Sequence, residues 1–127
     1  MAFRSINAEA GPAPAGSYSQ AVETRDTTRR LYISGQVPVA PDGSLPSGFR
    51  DQARQVWANI EAQLAAAEMT LDHLVKVTTF LSDRAHILEN REVRQEVLGD
   101  RAPALTVVIA GIFDEAWLLE IEAIAEA

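Results

Sequence analysis

The sequence predicts an α+β domain in which two helices cover one face of a single sheet. Three observations carry this expectation. Residues 49–67 place Phe49, Ala53, Val56, Trp57, Ile60 and Leu64 at helical spacing, with polar residues between them and no Pro or Gly. "HLVKVTTFLS" (73–82) alternates Val75, Val77, Thr79 and Leu81 with Lys76, Thr78 and Phe80, as a strand does. Strands flank both helical stretches, so strand–helix–strand units occur twice, a pattern of crossovers within one sheet.

The elements follow in order. "FRSIN" (3–7) reads as a short first strand, and "AEAGPAPAG" as loop from its Gly and Pro content. "SYSQAVET" and "RLYISGQV" read as two strands joined by a polar turn over 25–30, a hairpin. "PVAPDGSLPSG" is loop, with Pro-Asp-Gly as its turn signal. After the first helix and the 73–82 strand, Asp83 suits the cap of a second helix over 85–98, and Gly99 suits its end. A strand over 104–110 and a last one, "WLLEIEAIA", close the chain. In the last strand Leu119, Ile121, Ala123 and Ala125 take one face, and Leu118, Glu120, Glu122 and Ile124 the other. Two helices cannot cover both faces of such a sheet. Other subunits are the economical cover for the second face.

Composition narrows the function. The 127 residues fit one domain spanning 1–127, and 47% hydrophobic with 23% charged residues is ordinary for a soluble globular chain. Eleven Lys and Arg against eighteen Asp and Glu give a net charge of −7, which repels phosphate backbones. Nucleic acid is therefore not the expected partner. No cysteine is present, so disulfides, thiolate catalysis and sulfur-based zinc sites are excluded. No stretch approaches the ~18–20 apolar residues of a membrane-spanning helix, and the opening residues carry no long apolar run. A cytoplasmic protein without membrane contact is expected.

Few residues advertise chemistry. His73 and His86 are the only histidines and lack an acidic cluster at metal spacing, so surface or capping roles are expected and no metal. No phosphate-binding glycine loop or nucleophile elbow occurs. "SYSQ" and "ISGQ" set hydroxyls near strand ends, which ordinary turn chemistry also explains. "EIE" is sharper. Glu120 and Glu122 share a face with Leu118 and Ile124, and a carboxylate among apolar neighbours is costly unless paired. It is either a solvated or ion-paired group, or a general acid/base that holds a water.

Spread over nearly the whole chain, these stretches resemble the RidA family, also called YjgF or UK114, of reactive-intermediate deaminases. "GSYSQAV" is similar to that family's Gly-Pro-Tyr-Ser-Gln-Ala, and "LYISGQVPV" to its Ser-Gly-Gln-Ile-Pro strand. "DQARQVWANIEAQLAAAEMTLDHLVKVTTFLSD", "NREVRQEV", "PALTVV" and "EIEAIA" continue the match in order. The resemblance implies a chorismate-mutase-like fold with a mixed sheet, three sheets forming a barrel in a homotrimer, and clefts between subunits. It implies hydrolysis of small imines and enamines to ammonia and a carbonyl compound, without metal or cofactor. Carried over by position, the cleft holds Tyr18 as a wall with a hydroxyl and Asn90 as an orienting group. Ser34 hydrogen-bonds substrate or water, and Glu120 positions the water and shuttles a proton.

Position 105 departs from the pattern. Deaminating members have Arg after Pro-Ala, where it grips the substrate carboxylate through a two-pronged bond. Leu105 has no donor, so a carboxylate facing it goes unpaired. Arg101 precedes Pro103 and is expected outside the cleft. Standard 2-imino acid hydrolysis is therefore expected to be weak. The readings that follow are a Rid-type enzyme with altered specificity, or a non-catalytic trimer that binds a small ligand in the same cleft. A ribonuclease or translation inhibitor, an older label in this family, sits badly with the charge of −7.

Overall fold

The computed structural model describes residues 2–127. Its main sheet has four strands in the order β3-β6-β4-β5, and a separate two-stranded sheet pairs β1 with β2. The strands are β1 Ala2–Ile6, β2 Ala21–Arg25, β3 Arg30–Gln36, β4 Leu74–Leu81, β5 Ala104–Ile109 and β6 Leu119–Glu126. The helices are α1 Phe49–Ala66 and α2 Ile87–Leu98.

Both crossovers are present. β4 and β5 pair in parallel around α2. β3 and β4 each pair antiparallel with β6, so they run parallel to one another around α1. The sheet is mixed, as expected, and in the single chain it is open.

The expected hairpin is not there. β2 lies antiparallel on β1, with Val22 opposite Ser5, while β3 pairs with β6, Ile33 opposite Ala123. The polar turn joins two sheets instead of two neighbouring strands. Asp26 in that turn has φ 57°, and the chain leaves the first sheet there. The "SYSQAVET" strand is also shorter than expected. Residues before Ala21 form loop, touching the main sheet only through a parallel bridge of Ser19 to Ala104.

The apolar spacing of α1 becomes a buried stripe of Phe49, Ala53, Val56, Trp57, Ile60 and Leu64. It packs with Val93 and Leu98 of α2 on the sheet face that carries Val77, Leu81, Leu119, Ile121, Ala123 and Ala125. Asp83 accepts from Ala85 N at 2.7 Å and caps a single 3₁₀ turn, and α2 proper begins at Ile87. Gly99 ends α2 with φ 58°, a conformation that favours glycine. His73 Nδ1 accepts from Thr70 N, and His86 stacks on Phe49, so both histidines serve local structure.

Two amides of α1 tie the loops that frame the sheet. Gln52, buried, donates to the carbonyls of Pro46 and Ala116 at 3.1 Å and accepts from Leu118 N at 2.9 Å. Asn59 donates to the carbonyls of Val37 and Val39. These two residues, part of the family resemblance, hold loops.

Candidate functional site

α2 and the edge strand β5 build a cavity of about 400 Å³ at the rim of the sheet. Leu105, Val107 and Ile109 alternate along β5 and turn one face toward α2. Asn90 and Arg94, one helical turn apart, present a common face of α2 to the same space. Tyr18 closes the cavity from the loop before β2. That loop is held at Ser19, whose N–H donates to Pro103 O at 3.0 Å and whose hydroxyl donates to Ala102 O at 2.5 Å. Ser17 Oγ donates to the Gln95 side chain of α2.

Three of the five expected site residues, Tyr18, Asn90 and Leu105, therefore meet in one cavity. Tyr18 Oη accepts from Ala15 N at 3.2 Å, which leaves its own proton free to donate. Ser34 and Glu120 lie elsewhere. Glu120 stands beside Phe80 and Val108 across the sheet, on the face opposite Leu105, Val107 and Ile109. Ser34 is exposed on that same outer face, near Tyr32, which is 67% exposed. Glu120 lies over Gly35, where the β3–β6 register shifts. A Cβ at position 35 would overlap the carboxylate, so Gly35 gives the Glu120 side chain its seat.

Arg94 was not visible as a site residue in the sequence. It is 5% exposed, its Nε is fully enclosed without an acceptor, and it lines the cavity. Burial pushes its guanidinium below the ordinary arginine range; the Arg91 charge acts in the same direction, and Tyr18 opposes both. Arg101 lies apart. It pairs with Asp72 at 2.7 Å and donates to Leu98 O, away from Leu105.

An open mixed sheet under two helices, with a small cleft at its edge, defines the class as an α+β fold. The chain belongs to the RidA/YjgF family: the family profile described as endoribonuclease L-PSP matches residues 8–127. A RutC family protein of Pyrococcus horikoshii is 39% identical over 122 residues, covering 94% of each chain. The crystal structure of the Rid family protein YyfB from Yersinia pestis superposes with a TM-score of 0.86 at 28% identity over 100% of both chains. That of E. coli TdcF with bound serine superposes at 0.73, with 30% identity over 98% of each chain. No helix among the described residues is long and apolar enough to cross a membrane.

Proposed function

We propose that the protein hydrolyses a small imine or enamine to a carbonyl compound and ammonia, in clefts between the subunits of a homotrimer. One observation carries this reading. Tyr18 and Asn90 line a cavity at one edge of the sheet, while Ser34 and Glu120 stand on the opposite face of the same sheet. Glu120 and Val108 are two strand spacings apart, about 10 Å, with the sheet itself between Glu120 and the cavity. A second copy can bring its outer face against the first copy's cavity, and the two half-sites then meet. The exposed Tyr32, Val107 and Val108 support such a contact.

The chemistry asks little of the protein. A water held by Ser34 and Glu120 adds its oxygen to the iminium carbon while its proton passes to the Glu120 carboxylate. That proton then goes to the nitrogen, the C–N bond breaks, and ammonia leaves as the hydroxyl gives its remaining proton to the Glu120 carboxylate and the carbonyl forms. Tyr18 and Asn90 orient the ligand. Leu105 alters specificity, because it offers no donor to a carboxylate on the β5 side. A relative crystallised with serine fits a cleft of amino-acid size.

The test is ammonia release from imines generated in place from a panel of amino acids by an oxidase. Release above the buffer rate for at least one imine is expected. With none, hydrolysis is overturned and a non-catalytic binding trimer stands, the reading that the donor-free Leu105 wall favours. A nuclease reading gains nothing from a chain of net charge −7. Light scattering is expected to return three times the 13.8 kDa chain mass at micromolar concentration. A monomer there removes the intersubunit site.

A further inference from the structure

The cavity contains a charge that the sequence did not announce. Arg94 is buried to 5% exposure, yet no acidic group pairs with it among the described residues. Its Nε is enclosed and has no acceptor among the described residues. A buried guanidinium is costly unless it is paired and hydrogen-bonded. Asn90, one turn earlier on the same face, is 4% exposed and lines the same cavity. Tyr18 keeps a free hydroxyl proton. Across from these donors stands the wholly apolar wall of Leu105, Val107 and Ile109. Donors converge from α2 and the Tyr18 loop; β5 supplies only hydrocarbon.

We infer that this cavity binds a small monocarboxylate with a compact apolar body, gripped by Arg94 from α2, with Asn90 and Tyr18 completing the donor set. The carboxylate lies against α2 and the hydrocarbon part lies on β5. Guanidinium and carboxylate match as a planar fork, and the buried setting strengthens the pair. Arg91, exposed on the next position of α2 after Asn90, also lines the cavity, so the test is made at the buried Arg94. The inference uses the proposed reaction only for its location: a 2-imino acid bound in this pose would direct its reacting carbon away from α2.

Two unreactive probes separate carboxylate recognition from catalysis. Isovalerate carries the charge, and isovaleramide is its neutral isostere. Calorimetric titration of the intact protein is expected to show isovalerate binding at least tenfold tighter than the amide. Arg94→Gln should remove that preference by weakening acid binding far more than amide binding, and Arg94→Lys should restore part of it. The same Arg94→Gln change should raise the thermal midpoint of the empty protein, because it removes an unpaired buried charge. Opposite signs in stability and binding are what a ligand-directed charge produces; a merely structural arginine would lose stability. Equal binding of acid and amide by the wild type overturns the inference. So does an Arg94→Gln protein that dissociates into monomers with its acid preference intact, since that assigns the guanidinium to a subunit contact. Failure to release ammonia from any imine, with the acid preference retained, defeats the proposed hydrolysis and leaves the carboxylate site standing.

Discussion

Glu120→Gln should lower ammonia release by about two to four powers of ten, the usual contribution of a placed general acid/base, with assembly and thermal midpoint close to wild type. The amide keeps the shape of the side chain and can still hold a water. It cannot take the water's proton or return it to the departing nitrogen. Among the described residues the Glu120 side chain has no hydrogen bond or ion pair, so the substitution breaks no structural side-chain contact. Gly35→Ala supplies an independent check. The added Cβ would meet the Glu120 carboxylate and push it off its seat, while the flexible side chain spares the backbone. Its activity should fall in the same direction with the charge still present. A Glu120→Gln protein that releases ammonia at the wild-type rate would remove this residue from the reaction.

Trp57→Ala should cost about 3–5 kcal/mol of stability, the range for losing a large aromatic from a core. Trp57 is 2% exposed at the middle of α1, with Val56 and Ile60 equally buried beside it. The void would open within the buried cluster that α1 shares with the sheet. Against the about 5–15 kcal/mol that holds an ordinary domain together, this is a large share. Urea unfolding measures it, with both proteins at one concentration because subunit association adds to apparent stability. A midpoint unchanged within error would mean that the helix face is not the centre of the core.

What could be read from the residues alone tracks how local the governing physics is. The stripe on α1 and the alternation in β6 are local patterns, and both elements appear where those patterns lie. The β2–β3 hairpin failed because strand pairing is not a local property. β3 bonds to a strand about ninety residues later, and nothing in the Arg25–Arg30 turn encodes that partner. Tyr18, Asn90 and Leu105 were found through resemblance, and they share a cavity. Arg94 was missed because "NREVRQEV" looks like a solvated helix face. Its burial comes from the Tyr18 loop folding over α2, a tertiary event without a signature in the octapeptide. Gln52 and Asn59, prominent in the resemblance, are tethers for loops, and sequence alone does not separate a tether from a ligand contact.

β5 ends the sheet, and among the described residues no strand pairs with its outer side beyond the Ser19 bridge at Ala104. Residues 105–109, "LTVVI", contain no charge and no proline, and Val107 and Val108 are 40% and 38% exposed. Such a strip is a template onto which any other extended chain can add. Proteins commonly blunt an edge of this kind with a lysine or a proline, but here the same residues wall the cavity, so armouring the edge would spoil the wall. Recognition and resistance to aggregation thus compete for Leu105, Val107 and Ile109. In the assembly proposed above the hazard falls on the subunit that has folded but has not yet met its fellows.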